Sequence, residues 1–324
     1  MGNIVVKLPD GSDKELPSKS TGFDLAASIG ARLAKDSIAV VINGEQRDLS
    51  DILPNKAEVS IITKGSDEGL EIMRHTLAAQ VLALAVKNLY PDAKLAIGPT
   101  IDDGFYYDFF MNKPISSDDL PKIEDEMNKI IKSKSKITKT YHSKKEALEV
   151  FDGLDEGFKA EIITDSGQKN DFQLYTQDET RFIDLCRGPH LPNLDMCGEF
   201  KLTKVAGAYW RGDSTKPMLT RIYGTAWNTR KELEAYLNQL AEAEKRDHRK
   251  LGKEMRLFHF QDEAPGMVFW HPSGWTIYSE LQNYVRKMQR NAEYQEINTP
   301  QVVDRKLWEK SGHWDKYREN MFIT

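Results

Sequence analysis

Cysteine is nearly missing from this chain, with only Cys186 and Cys197 among 324 residues. Two cysteines cannot build the disulfide framework of a small secreted domain, so a reducing, cytoplasmic setting is the natural expectation. Long apolar runs are missing too. No stretch approaches the roughly 18 apolar residues that span a bilayer, which predicts no membrane partner. The first residues, Met1-Gly2-Asn3-Ile4-Val5-Val6-Lys7, lack the basic region and apolar core of an export signal. Val6 stands where a myristoylation signal wants Ser or Thr. An excess of positive charge is also lacking. A net charge of −5 argues against coating nucleic acid through bulk charge and leaves only a local basic face as an option. What is present describes folded domains: 40% hydrophobic and 29% charged residues fit a globular chain, and the length calls for roughly two to four domains.

The stretch richest in chemistry is Phe182-Ile183-Asp184-Leu185-Cys186-Arg187-Gly188-Pro189-His190. Gly188-Pro189 signals a turn, so the segment reads as a strand end followed by a bend. Side chains alternate along a strand. Ile183 and Leu185 then face one side, and Asp184 and Cys186 the other, with His190 following the turn. The three polar groups can share a cleft. The same spacing also fits a buried cysteine at a strand end beside surface charges.

Taken in order, residues 1–63 read as strand, strand, helix, strand, strand. Asn3–Leu8 and Lys14–Leu16 flank the turn at Pro9-Asp10-Gly11-Ser12. Ser20 or Thr21 caps a helix through Leu33. Ile38–Ile42 runs into Asn43-Gly44, a strong hairpin signal, and Glu58–Ile62 closes the set. This order predicts a ubiquitin-like half-barrel, a type of unit that binds partners more often than it catalyses. After a polar hinge at 64–69, a helix is expected to about Leu89, ending before Pro91. His75 lies in its first turns; alone, such a histidine is more often structural or solvated than functional. Strands are expected at Lys94–Pro99 and Gly104–Phe109, where Tyr106 and Tyr107 face opposite sides. An amphipathic helix follows at Leu120–Ser133, then a basic stretch at 132–145 and a short helix at Ser143–Phe151. Lys159–Ile163 and Gln173–Thr176 read as strands. Two more at Val205–Gly212 and Leu219–Trp227 interleave small, aromatic and Arg residues, which suits either nucleotide contact or a tightly packed sheet. Thr229–Lys253 reads as one long helix of high propensity. Beyond it come a strand near Gly266–Pro272, a helix at Gly274–Tyr294, a strand at Gln295–Val303 interrupted by Pro300, and a short helix at Lys306–Trp314.

Several separated motifs now carry a resemblance. They are Ile97-Gly98-Pro99 with Asp103-Gly104-Phe105-Tyr106-Tyr107-Asp108, then Asp184–His190, then Ala206-Gly207-Ala208-Tyr209-Trp210-Arg211-Gly212-Asp213, and Arg221-Ile222-Tyr223-Gly224-Thr225-Ala226-Trp227. Lys245–Lys250, Glu263–Met267 and Trp308–Trp314 extend the match. Together they resemble the N-terminal half of the bacterial-type threonyl-tRNA synthetase family, over essentially the whole chain. The resemblance implies an α+β multidomain protein. It consists of a ubiquitin-like β-grasp (TGS) domain at 1–63, a tRNA editing domain at 64–225, a linker helix at 226–252, and the start of a class II antiparallel-sheet catalytic domain at 253–324. It implies ATP-dependent charging of threonine tRNA by the full enzyme, with hydrolysis of mischarged seryl-tRNA. The first class II motif, a dimer-interface helix and strand ending at Pro300, implies a homodimer. ATP with Mg2+, and the zinc ion that binds threonine, would be held beyond Thr324. This stretch alone is therefore expected to be inactive as a ligase, to keep at most the editing and tRNA-binding parts, and to hold no cofactor or metal.

The resemblance also implies site residues. His75, Asp184, Cys186 and His190 would line the editing site as catalytic groups, and Tyr106, Lys159, Gln80 and Arg187 would meet substrate. A threonine pocket rejects serine, which lacks one methyl, by only about 1–3 kcal/mol, so a second, hydrolytic site has a purpose. The sequence departs from the family at one place. The family has His-x-x-x-His on the first editing helix; here Ala79 stands four residues after His75, Gln80 comes next, and Pro91 arrives one residue late. An extra residue turns everything beyond it by about 100°, so a π-type widened turn between His75 and Leu82 is expected, swinging Gln80 into the place of the missing histidine. Without a second histidine there, His75, Cys186 and His190 would be three zinc ligands at most, in an arrangement like that of the alanyl editing relatives. Two rival readings follow: a tRNA-binding protein without chemistry, and a free-standing zinc-dependent trans-editing hydrolase.

Overall fold

The computed structural model describes residues 2–300 and 302–321. The chain divides into two compact units, Met1–Gln239 and Leu240–Thr324. In the first, β1 (Asn3–Lys7) pairs antiparallel with β2 (Asp13–Pro17). Two short helices, α1 (Gly22–Ile29) and α2 (Ala31–Asp36), lead to β3 (Ser37–Ile42). Strand β3 is flanked by β4 (Glu45–Asp48) and β5 (Val59–Thr63), and a parallel bridge from Lys7 to Glu58 joins the two pieces. This is the expected β-grasp. Thr21 and Asp24 form a reciprocal capping box at the start of α1, which satisfies amides a helix start leaves unpaired. Val6, Leu25 and Val40 have no exposed surface. Each such side chain contributes on the order of 1.5–3 kcal/mol through burial.

The next body is built on one interrupted helix. α3 (Asp67–Thr76) runs into a π-helical segment, Leu77–Leu82, and on into α4 (Ala83–Leu89). The widened turn thus lies where the extra residue called for it. All six residues of the π segment are buried, which explains the distortion: absorbing the extra residue locally keeps the apolar residues of α4 facing inward. After β6 (Lys94–Leu95) and β7 (Thr100–Ile101), β8 (Gly104–Phe110) enters a sheet. α5 (Leu120–Lys132), β9 (Ile137–His142), α6 (Lys144–Gly153) and α7 (Gly157–Asp165) follow. Then come β10 (Phe172–Gln177), β11 (Ile183–Leu185), β12 (Glu199–Tyr209) and β13 (Met218–Trp227). One antiparallel sheet has the order β12-β13-β8-β6 with β7 also on β8; the other has β11-β10-β9. The interrupted helix and α5 share a single apolar cluster with the inner face of the larger sheet.

Residues 159–163, read as a strand, are helical within α7. A five-residue run with paired isoleucines fits either period. The fold settles it by burying Lys159 and Ile163, four apart on one helix face.

α8 (Arg230–Lys245) starts in the first unit and ends in the second. The expected single helix to Lys253 breaks at Arg246. Asp247 caps a new helix, α9 (His248–Glu254), accepting from the Arg249 amide at 2.8 Å. The second unit continues with a two-stranded pair, β14 (Phe258–His259) and β15 (Phe269–Trp270). α10 (Pro272–Asn291), α11 (Arg305–Lys310) and α12 (His313–Tyr317) complete it. Residues 295–300 and 302–303, expected in a strand, form none, in keeping with the missing donor at Pro300; Gln301 lies outside the described residues.

Candidate active site

The site starts from strand β11. Ile183 and Leu185 pack against the cluster of Ala147, Phe151, Ile163, Phe172 and Leu174. That turns Asp184 and Cys186 to the opposite side, toward a cleft of about 740 Å³. His75, Tyr107, Lys159, Asp184, Cys186 and Arg187 all line this cleft, with Arg187 exposed. His75 comes from the last turn of α3 and Lys159 from α7. Gly98 forms part of the wall, and a Cβ there would lie 2.1 Å from the Tyr107 ring, so only glycine lets the chain pass so close to the tyrosine.

Asp184 is the electrostatic centre. Its Oδ1 meets Lys159 Nζ at 2.7 Å and the Leu185 amide at 2.8 Å. Its Oδ2 accepts from the Tyr107 hydroxyl at 3.1 Å. Both partners of the ion pair are buried, with side-chain exposures of 4% for Lys159 and 1% for Asp184. Burial, then the neighbouring Asp184, pushes the Tyr107 hydroxyl well above its ordinary pKa, so the phenol stays a donor.

Two histidines stack beside this cluster, with ring centres 4.7 Å apart and planes within 9°. His75 Nε2 lies 2.8 Å from Cys186 Sγ. Burial lowers the His75 pKa, against the opposing pull of Asp184, which leaves a neutral imidazole at neutral pH. His190 is buried behind it. Its tautomer follows from Thr76. The Thr76 hydroxyl donates its one hydrogen to the Ile72 carbonyl at 2.9 Å and accepts from the Leu191 amide at 3.0 Å. Its remaining lone pair faces His190 Nδ1 at 3.2 Å, so Nδ1 carries the proton and donates. Its Nε2 is buried and has no hydrogen-bond partner. Ligand atoms of His75, Cys186 and His190 all lie within 4.8 Å of one another.

The expected site residues thus divide. His75, Asp184, Cys186, His190, Lys159 and Arg187 come together at or directly behind the cleft. Tyr106 does not. It lies on the other face of β8, beneath the Arg221 guanidinium at 3.8 Å, and Tyr107 takes the place in the cleft. Strand parity made the two alternatives, but nothing local set which one faced inward. Gln80 does not line the cleft either. It is wholly buried, its carbonyl and amide oxygens accepting from Gln177 Nε2 at 2.6 and 3.4 Å, and Ala79 lines the wall instead. The widened turn carries the glutamine past the cleft. Thr76, which orients His190, was missed; adjacency to His75 was its only signal.

Two family models match this framework: the TGS domain over residues 4–63, and the "Threonyl and Alanyl tRNA synthetase second additional domain" over residues 173–223. The matched models are thus those of a β-grasp and of a second additional domain named for the threonyl and alanyl tRNA synthetases. Over its whole length, the chain is similar to proteins named threonine–tRNA ligase. It is 50% identical to that of Hahella chejuensis over 320 residues, 99% of this chain and 50% of the relative. The proteins of Saccharophagus degradans and Polynucleobacter asymbioticus are 51% and 49% identical over the same 99% of this chain and 50% of their own length. The chain is homologous to class II threonine–tRNA ligases and spans about half the length of the curated relatives it matches. No helix among the described residues is long and apolar enough to cross a membrane.

Proposed function

We propose that this chain supplies the editing half of a threonine–tRNA ligase and hydrolyses the ester of serine wrongly joined to threonine tRNA. The observation that carries the reading is the cleft in which a buried Asp184–Lys159 pair meets a neutral histidine and an adjacent thiol. Ester hydrolysis needs a water deprotonated or oriented by a base, and a positive or donor group for the developing oxyanion. His75 suits the first task. Lys159 and the Tyr107 hydroxyl suit the second, while Asp184 fixes both and offers oxygen atoms to a substrate hydroxyl. Cys186 need not attack; its role is to hold the His75 ring. Arg187, exposed at the rim, suits a tRNA phosphate.

The same reading divides the chain into a TGS domain at 1–63, an editing domain at 64–225, a linker at 226–252 and a segment of catalytic domain at 253–324. Its partners are threonine tRNA and, through the first class II motif, a second copy. It works in the cytoplasm. Threonine, ATP with Mg2+ and the threonine-binding zinc belong to the activity of the full ligase. The test uses the 324-residue chain with seryl-tRNA bearing a threonine tRNA body. Serine release is expected, at least tenfold slower in His190→Ala, since a positioned acid–base group is typically worth 10²–10⁴-fold. Equal rates in variant and parent would refute the site. Threonine-dependent pyrophosphate exchange is expected to stay at the blank.

One observation favours a second reading. The orphaned Nε2 of His190 and the donor atoms of His75 and Cys186 form a soft set that fits zinc, which commonly takes three protein ligands and an open position in catalytic sites. A zinc ion there would supply a bound water of lowered pKa. Metal analysis decides: one zinc per chain with hydrolysis lost to chelator supports this reading, and full activity in metal-free protein dismisses it.

A further inference from the structure

Asp48 closes β4 in the β-grasp domain, yet its side chain serves the other domain. It is 8% exposed. Its Oδ1 accepts from the His190 backbone amide at 3.0 Å, and its Oδ2 from the Tyr175 hydroxyl at 2.7 Å. Lys139 Nζ lies 2.8 Å from the same Oδ2 and 2.6 Å from Asp51. Tyr175 in turn packs edge-on against the His190 ring, centres 4.4 Å apart. Its hydroxyl fills the space beside Gly188, where a Cβ would come within 1.9 Å; Gly188 also has a φ of +61°, which favours glycine. The other face of His190 carries His75. A single carboxylate from residues 1–63 therefore fixes the main chain at His190 and the tyrosine bracing its ring, and through the stack it fixes His75.

We propose that Asp48 is a positioning residue of the hydrolytic site, so that the β-grasp domain is a structural part of the editing centre. This rests on the editing reading above. Asp48 has no surface in the cleft and touches no reacting atom. Its effect comes through geometry, where a displacement of about 1 Å costs up to about 100-fold in rate. A residue acting only as interdomain glue would behave like Asp51, whose carboxylate binds Lys139 whereas that of Asp48 also holds the His190 amide.

The experiment measures steady-state hydrolysis of seryl-tRNA with a threonine tRNA body, together with side-chain imidazole NMR signals of the 324-residue chain. Asp48→Ala is expected to lower kcat at least tenfold with KM within twofold. Asp48→Asn keeps one acceptor oxygen and should recover part of the loss. Asp51→Ala should stay within twofold of the parent. The His75 and His190 imidazole signals should shift in Asp48→Ala and not in Asp51→Ala. If Asp48→Ala fails to fold, Tyr175→Phe takes its place, with the same expected loss in kcat. An unchanged kcat in the folded variant, or an equal loss in Asp51→Ala, overturns the proposal. If the parent itself releases no serine, the editing reading fails, and the imidazole signals still decide whether Asp48 holds the histidine pair: unmoved signals overturn it.

Discussion

Two clusters, each built on an Asp–Lys–Tyr trio, bracket the stacked histidines. In front, Asp184 binds Lys159 and accepts from Tyr107. Behind, Asp48 binds Lys139 and accepts from Tyr175. Burial raises the pKa of both tyrosines, and the aspartate beside each adds to it. Burial alone would lower the Lys139 pKa, but Asp48 and Asp51 outweigh it and the pKa is raised. The clusters differ in what they face. The front one opens on the cleft, whereas Asp48 and Tyr175 have no surface in it. On the proposed reading, the same three residue types act as reagents where a substrate can reach them and as a bracket where it cannot.

That contrast can be broken by removing one charge at a time. The largest stability effect is expected behind the histidines. Lys139 has 5% side-chain exposure, and losing one partner of a buried ion pair typically costs about 3–5 kcal/mol. Urea denaturation of Lys139→Met should show a loss of that order, and a change below about 1 kcal/mol would mean the rear cluster braces nothing. A smaller effect is expected at the front wall. Deleting Ala79 removes the extra residue, lets the π segment close to regular helix, and brings the glutamine four residues after His75. Stability should change little because the bulge is a local insertion, whereas deletion of Ala83, inside regular helix, should unfold the domain. Similar losses at both positions would contradict the account of the widened turn. The smallest effect belongs to Gln80→Ala. Gln80 lies outside the cleft, so serine release should stay within twofold of the parent; a tenfold loss would restore the role first expected of it.

Much of this was legible in the chain. The Asn43-Gly44 turn and alternating apolar runs announced the β-grasp. The Asp184–His190 segment offered a site, because strand alternation and a Gly-Pro turn can converge its polar groups, and the family resemblance chose that reading over a buried cysteine beside surface charges. Counting residues from His75 to Pro91 against the spacing of the family it resembles announced the π segment. The rest needed the third dimension. Tyr106 and Tyr107 differ only in the phase of β8, set by pairing with β13, where Ile222 faces Tyr107 and Tyr223 faces Tyr106. Lys159 carried no sign of its helix because its run was too short to show a period. Asp48 was invisible: 142 residues separate it from the amide it holds, and no local pattern marks a carboxylate that serves another domain.

The most direct measurement is single-turnover deacylation of seryl-tRNA with a threonine tRNA body, with enzyme in excess so that binding does not limit the rate. The 324-residue chain should release serine well above the uncatalysed rate, and Asp184→Ala, checked for native circular dichroism, should slow that release by about 100-fold or more. A folded Asp184→Ala that releases serine within twofold of the parent would contradict the assignment of chemistry to the front cluster.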